Sequence, residues 1–226
     1  MKPVHEIQAD FDRIALTETP GEWNHNNHYH AYLLRHAPTH CHTALEVGCG
    51  TGEFARRLAQ RSDSVLALDI APEMLRLARE RSKLSPNIDY VQADILTYSV
   101  PAASFDCIAS IATLHHMALA DVLPRLREAL KPGGVLLVLD LCRDEGLGDL
   151  FQSIAAFPLN RALQRLKNGN RTQSAEARAA WDAHGHDESY PSLSEVRQAC
   201  ANLLPGAQIK RHFFWRYSLI WTKPAA

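Results

Sequence analysis

Short apolar runs alternate with helical stripes through the middle of the chain. The runs predict buried strands, which lie at 43–48, 64–70, 88–92, 105–111 and 135–141. Between them, apolar residues three and four positions apart predict helices, as at 52–61 and 121–130. Strands that alternate with helices are typical of a parallel sheet that helices cover on both faces.

The alternation of strands and helices stops after residue 142. The pattern then predicts a helix at 147–167, kinked at Pro158, whose apolar stripe we expect to be buried, and a second helix at 174–184. A capping box at Ser192–Glu195 predicts the start of a further helix that ends near residue 203. Two aromatic-rich strands are predicted last, at 207–215 and 217–222.

Three glycines at alternate positions follow the first predicted strand, in the segment LEVGCGTGEF. They are Gly48, Gly50 and Gly52, and an amphipathic helix comes directly after them. Glycines at such a place let the backbone turn tightly and let a ligand approach it closely. Between a strand and a helix, this pattern predicts a nucleotide-type ligand site.

Acidic residues in and after the glycine loop indicate which ligand it binds. A dinucleotide loop has a third glycine where this chain has Glu53, and Glu46 adds a second carboxylate. Both charges disfavour a pyrophosphate and favour a ligand with an ammonium and a sulfonium, which predicts S-adenosylmethionine rather than NAD. Asp69 and Asp94 end the second and third strands, where they are expected to bind ribose hydroxyls and the adenine amino group, or else to cap helices.

Five segments resemble the class I S-adenosylmethionine-dependent methyltransferases, especially the group with small-molecule and ubiquinone/menaquinone-pathway enzymes. They read LEVGCGTGEF, LALDIAPEML, QADI, FDCIASIATLHHM and LKPGGVLLVLDL. The resemblance implies an α/β, Rossmann-like, seven-stranded sheet, mostly parallel with an antiparallel last strand, and S-adenosylmethionine as cofactor. The cofactor-binding residues expected from the loop, the strand ends and the resemblance are Glu46, Gly48, Cys49, Gly50, Gly52, Asp69, Ile70, Met74, Ala93, Asp94, Ile95 and Ile111.

The pattern predicts one methyltransferase domain over residues 1–226, with four parts. These are an N-terminal helical segment at 1–42, a cofactor-binding core at 43–141, a helical cap insertion at 142–190, and a last helix with two strands at 191–226. The insertion leaves the fifth strand at its carboxyl end, which is the ligand edge of such a sheet. We therefore expect it to act as a lid, the alternative being a helical insertion that does not touch the ligand.

His115 and His116 follow the fourth strand and are the candidate catalytic residues. Histidine has the pKa of a base near neutral pH, although either residue could instead only position the substrate or cap a helix. Residues expected to line the substrate site are Tyr29, His30, Trp181 and Tyr190. The segment 23–32 is open to three interpretations: pocket lining, a surface helix or a metal site. No metal site is predicted, because no ligand set has a recognisable spacing.

Composition narrows the class of substrate. Lys and Arg number 24 and Asp and Glu 25 among 226 residues, which gives no electrostatic reason to expect a nucleic acid partner. No apolar run approaches the ~20 residues of a membrane helix. The five dispersed cysteines suggest reduced thiols and a cytoplasmic protein. We expect a small-molecule substrate; a nicotinamide-dependent oxidoreductase and a non-catalytic S-adenosylmethionine-binding protein remain alternatives.

Overall fold

The computed structural model describes residues 2–169, 174–186 and 188–225. Eight helices lie in these ranges: α1 Val4–Ala15, α2 His30–His36, α3 Glu53–Ala59, α4 Pro72–Arg81, α5 Leu119–Ala129, α6 Leu147–Asn168, α7 Ala175–Gly185 and α8 Leu193–Leu203. The strands are β1 Cys41–Val47, β2 Ser62–Asp69, β3 Ile88–Gln92, β4 Phe105–Ile111, β5 Leu130–Leu141, β6 Gln208–His212 and β7 Arg216–Thr222. Short 3₁₀ helices lie at Asn27–Tyr29 and Leu114–His116.

The seven strands form one sheet in the order β3-β2-β1-β4-β5-β7-β6. β1 to β5 are parallel, and β7 runs antiparallel to β5 and β6. This confirms the predicted Rossmann-like sheet with an antiparallel last strand. The strand order reverses between β1 and β4, and ligands of open α/β sheets bind at the carboxyl ends of the strands beside such a reversal.

Successive residues of β5 show why both faces of the sheet are covered. Leu136 and Val138 pack in the cluster that includes α5 and α8, whereas Leu137 and Leu139 pack in the cluster that includes α3 and α4. Alternate side chains of a strand point to opposite faces, so an uninterrupted apolar run needs helices on each side. The sheet core therefore fixes the carboxyl ends of the strands as a rigid edge.

Strand β5 begins earlier than the sequence indicates. The Lys-Pro-Gly-Gly segment ends α5 as predicted, but the chain passes directly into β5 at Leu130. Gly133 donates its backbone N–H to the carbonyl of Lys223 at 2.9 Å, and Lys223 donates to Gly134 at the same distance. Pairing with the chain after β7 therefore holds this segment extended.

The prediction that α6 buries its apolar stripe was wrong for several positions. Among the predicted stripe positions, the exposed fractions are 57% for Ile154, 39% for Leu159 and 79% for Leu166. Phe157, which is not part of that stripe, is also exposed. Ala156 is buried and Leu163 packs on the core, so only a narrow side of α6 meets the body of the protein. The helix continues through Pro158 without a break.

Part of α6 cannot be compared with the prediction. Side chains at 147, 150–153 and 155 are outside the described set, which includes the predicted apolar positions Leu150 and Phe151. The capping box of α8 is confirmed, since Ser192 and Glu195 each accept the backbone N–H of the other. A membrane-crossing helix is not found in the described part of the chain, where each helix is too short or too polar.

Candidate active site

A cavity of about 1500 Å³ lies along the carboxyl edge of the sheet. Its walls come from the ends of β1, β2, β4 and β5, from the N-terminal segment, and from α6 and α7. The predicted residues that line it are Glu46, Gly48, Cys49, Gly50, Asp69, Ile70, Met74, Ala93, Asp94, Ile95, Ile111, His30, His115, His116, Trp181 and Tyr190. The fold therefore brings the predicted cofactor residues and most of the predicted substrate residues to one space.

Asp69 holds the glycine loop against the end of β2. One carboxylate oxygen accepts the backbone N–H of Gly50 at 2.7 Å, and the other accepts the N–H of Ala71 at 2.9 Å. Burial raises the pKa of Asp69, and the hydrogen bonds from Ala71 and Gly50 oppose that rise. Asp69 thus shapes the loop and also lies at the cavity wall, where ribose hydroxyls are expected.

The three glycines of the loop have different neighbours. An added Cβ would lie 2.1 Å from the Thr113 hydroxyl at Gly48 and 2.2 Å from the Tyr90 hydroxyl at Gly52. At Gly50, whose φ is +50°, it would meet nothing within 4 Å. Gly48 and Gly52 are therefore required by packing, whereas Gly50 borders open space in the cavity.

Gly52 and Tyr29 were predicted to contact ligands, but neither lines the cavity. Gly52 packs against Tyr90, whose hydroxyl lies where a Cβ of residue 52 would be. The Tyr29 hydroxyl donates to the carbonyl of Phe213 at 3.1 Å, and its ring packs on His212. Both residues therefore pack beside the cavity and do not face it.

Glu46 is the buried acid of the cavity. It is only 2% exposed, and its Oε2 has no hydrogen-bond partner among the described residues. Burial raises its pKa well above the usual range, and the nearby charge of Asp69 adds to the shift. A buried carboxyl with an unsatisfied oxygen is stabilised by a cationic group, so this position suits an ammonium.

Apolar side chains and Asp94 form the wall on the side of β3. Met74 and Ile95 are buried, and Ile70 directly follows Asp69 in the chain. Asp94 accepts the backbone N–H of Leu96 at 2.9 Å, which fixes the loop after β3. A flat apolar ring with an amino group at its edge matches this wall.

His115 is held in one orientation by Asp140 at the end of β5. The Asp140 carboxylate accepts the backbone N–H of His115 at 2.9 Å and lies 2.6 Å from Nδ1 of the ring. Because a carboxylate accepts hydrogen bonds, Nδ1 is the ring nitrogen that donates, and Nε2 is then the acceptor nitrogen of the neutral ring. The ring also lies 5.2 Å from that of Tyr190, by centroids.

The side chain of His116, like that of His115, is nearly enclosed. Its ring centroid is 5.7 Å from that of Phe11 and 5.3 Å from that of His184. Nδ1 lies 3.3 Å from Oε2 of Glu188 without forming a hydrogen bond to it. Burial lowers the pKa of His116 to about 2, and the charges of His115 and His184 add to the shift. Its buried surroundings therefore favour the neutral imidazole.

The N-terminal segment is fastened to α6 above the cavity. The backbone N–H of Trp23 donates to the Asn168 side chain at 2.7 Å, and the Asn168 amide donates back to the Trp23 carbonyl at 3.1 Å. His25 lies 2.9 Å from the Asn160 side chain and stacks on Phe214, with ring centroids 4.6 Å apart. Residues 23–26 thus line the cavity, as expected for a pocket-lining segment.

Sequence reasoning missed Asp140, Glu188 and Thr113. Asp140 ends the apolar run of β5, and a carboxylate at the carboxyl end of a central strand is a signal that could have found it. Glu188 lies in an irregular segment, and no spacing connects it with His116. Thr113 contacts the loop only because Gly48 lacks a side chain.

Comparisons with known proteins agree with this geometry. A family model described as a methyltransferase domain matches residues 44–134. An uncharacterized methyltransferase of Mycobacterium tuberculosis strain H37Rv is 34% identical over 209 residues, which cover 89% of this chain and 98% of that protein. A malonyl-[acyl-carrier protein] O-methyltransferase of Serratia marcescens is 30% identical over 160 residues, which cover 70% of this chain and 51% of that protein.

A solved structure shows the same fold at low sequence identity. It is the N-methyltransferase NodS of Bradyrhizobium japonicum WM9 in complex with S-adenosylhomocysteine, with a TM-score of 0.65 and 18% identity, covering 96% of this chain and 98% of that one. The chain belongs to the class I S-adenosylmethionine-dependent methyltransferases. It is an enzyme of the methyltransferase family, and its cofactor is S-adenosylmethionine. The nicotinamide alternative is therefore set aside.

Proposed function

We propose that the protein transfers a methyl group from S-adenosylmethionine to a small oxygen acceptor bound in the same cavity. The observation that carries this proposal is that one continuous cavity of about 1500 Å³ runs past both sets of residues. Pockets for one small ligand have volumes of about 300–1,000 Å³, so this cavity has room for a cofactor and an acceptor together. Relatives named as O-methyltransferases support oxygen as the acceptor atom.

The glycine loop and the ends of β1 to β3 are the proposed cofactor half. Glu46 would receive the ammonium, Asp69 the ribose hydroxyls and Asp94 the adenine amino group, while Gly50 lets the ligand approach the backbone. The support is the position of all four residues on the cavity wall. The unsatisfied oxygen of Glu46 adds a reason for a cationic ligand.

The His pair and the cap are the proposed acceptor half. By the cap we mean residues 20–36 together with residues 142–190. His30, Trp181 and Tyr190 line the cavity on this side. Of the two histidines, His115 is suited to accept a proton, because Asp140 holds Nδ1 and leaves Nε2 as the acceptor. His116 is a poor base, since burial lowers its pKa to about 2.

Positioning is the main work of this chain in the reaction. Bound S-adenosylmethionine supplies a sulfonium-activated methyl group that an acceptor takes by in-line displacement. Holding two reactants in line contributes about 7–11 kcal/mol. Asp69 and Glu46 would fix the cofactor, and the cap would exclude water from the reacting atoms.

The five cysteines are free thiols, which fits our expectation of a reducing cytoplasmic compartment.

Calorimetry with S-adenosylmethionine, S-adenosylhomocysteine and NAD tests the cofactor half. Micromolar binding of the first two without NAD binding is expected. Incubation with methyl-labelled S-adenosylmethionine and a panel of small carboxylic acids, phenols and amines tests the acceptor half, with label expected in the oxygen acceptors. Label only in amines would overturn the oxygen proposal, and NAD binding without S-adenosylmethionine binding would overturn the function.

A further inference from the structure

We propose that His115, His116 and Glu188 bind a divalent transition-metal ion beside the acceptor. One ligand atom from each residue lies within 4.8 Å of the other two. Two imidazoles and one carboxylate are a donor set of catalytic zinc sites and of non-haem iron sites, in which positions stay open for substrate. The sequence predicts no metal site, because Glu188 comes from a distant segment that only the fold brings to the His pair.

Unsatisfied polar atoms give the second argument. The side chains of His116 and Glu188 are each only 6% exposed. Nδ1 and Nε2 of His116 and Oε1 of Glu188 have no hydrogen-bond partner in the part of the chain that the structure describes. Buried polar groups without partners are costly, and three of them on two facing side chains point to a ligand.

Asp140 supplies the outer support that metal-binding histidines have. It lies 2.6 Å from Nδ1 of His115 and accepts the backbone N–H of the same residue. Ligating histidines almost always donate their other ring N–H to a carboxylate, a backbone carbonyl or water, which fixes the ring and raises its basicity. His115 therefore has Nε2 as the nitrogen that can bind an ion.

The local charge is compatible with a cation. Two carboxylates, those of Asp140 and Glu188, contact the His pair. The carboxylate of Asp10 lies one residue further out, 3.3 Å from Nδ1 of His184, and the nearby cationic side chains are Lys2 and Arg216. Lys2 is 3.2 Å from Asp10 but 4.0 Å from Glu188, so its ammonium is closer to the other acid. The excess of negative charge remains near Glu188.

This inference deepens the proposed function and rests on it for the nature of the acceptor. An ion at His115 would bind an acceptor oxygen directly. A carboxylate would bind it already ionised, and a phenol would release its proton to solvent water on binding, so His115 would act as a ligand in place of the base role given to it above. The substrate class would then be a small molecule with an oxygen that can coordinate a metal, such as a carboxylate or a phenol.

Metal binding is tested directly on protein that a chelator has stripped. Calorimetric titration with Zn²⁺ is expected to show one tight site, which His116→Ala and Glu188→Gln weaken by at least about 10-fold. Asp140→Asn is expected to weaken it by about 10- to 100-fold, the range for outer-shell partners. Thermal unfolding of each variant checks that it is folded. If His116→Ala does not fold, Glu188→Gln, which keeps the side-chain shape, still tests the site.

A second group on the surface provides the control. His40, His42 and Asp63 also place one ligand atom each within 4.8 Å of one another, but all three are exposed. The double variant His40→Ala/His42→Ala is expected to keep the tight site. Loss of zinc binding in that variant, or no binding by the parent, would overturn the inference. Calorimetry with S-adenosylmethionine on the same stripped sample separates this failure from a failure of the proposed function.

Discussion

The carboxylate of Asp69 and the backbone N–H of Gly50 are joined by a hydrogen bond of 2.7 Å. The bond connects the end of β2 to the loop after β1, across two neighbouring strands of the sheet. It sets the conformation of the loop before any ligand arrives. Asp69 can therefore affect cofactor binding in two ways: it fixes the conformation of the loop, and it can itself contact the ligand. Substitutions of Asp69 can separate these two effects.

Asp69→Ala is expected to weaken S-adenosylmethionine binding by about 1.5–3 kcal/mol, the range for a hydrogen bond to a charged group. Asp69→Asn should cost less, because one acceptor oxygen remains. Calorimetry measures both, and Asp89→Ala on the exposed side of β3 is the control. If both Asp69 variants bind like the parent, Asp69 only fastens the loop.

Gly50→Ala is expected to abolish cofactor binding in a folded protein. The added Cβ would meet no protein atom within 4 Å, so it would project into space that we assign to the ligand. The left-handed backbone costs an alanine about 1–2 kcal/mol. Gly206→Ala is the matched control, because Gly206 also has a positive φ and open space around it but lies before β6.

Circular dichroism and calorimetry on this pair decide the point. The two variants should lose similar stability, and only Gly50→Ala should lose affinity. Equal affinity in both would place the ligand away from Gly50.

Much of the cofactor half could be predicted from the sequence, because its signals are local. β4 was predicted with the bounds that the structure has, and the acids at the ends of β2 and β3 lie at the cavity as expected. Each of these residues follows an apolar run, and the parallel sheet places all such ends at one edge.

The acceptor half depends on contacts between segments that are distant in the chain. The spacing of apolar residues, which predicts helices and strands, gives no information about such contacts. Glu188 beside His116 and Asn168 beside Trp23 are examples. In α6, by contrast, a clear sequence pattern led to a wrong prediction. The spacing of its apolar residues predicted burial, but Ile154 and Leu166 are exposed because α6 meets the body along a narrow side.

His30 is expected to make the protein less stable in acid. Burial lowers its pKa from 6.5 to about 3, with a further effect of Arg57, although Glu53 lies 3.6 Å from Nδ1. The unfolded chain therefore binds a proton that the folded chain excludes. The stability from neutral His30 is complete above pH 6.5 and is lost as the pH falls toward 3.

Between pH 7 and pH 5 this linkage amounts to about 2 kcal/mol for one histidine. His30→Gln removes the titrating group, so the variant should lose about that much less than the parent over the same interval. Denaturant unfolding at the two pH values measures the difference. An identical loss in parent and variant would show that His30 is protonated without cost.

Asn168→Ala is expected to loosen the N-terminal part of the cap. It removes two hydrogen bonds with the backbone of Trp23, which contribute about 1–3 kcal/mol together. Amide exchange over residues 20–27 should become faster, while Lys167→Ala, at the exposed neighbouring position, should leave it unchanged. Equal exchange in the two variants would mean that other contacts, such as that of His25 with Asn160, hold the segment.

The central claim is that the cap and the cofactor-binding core enclose one compartment for cofactor and acceptor. Hydrogen exchange with and without S-adenosylhomocysteine tests it most directly, because it reports each segment separately. We predict increased protection at 46–52, 69–74 and 93–95, and also at 20–36 and over α7 (Ala175–Gly185). Protection confined to the first three segments would contradict the claim, since the cap would then not close over the bound cofactor.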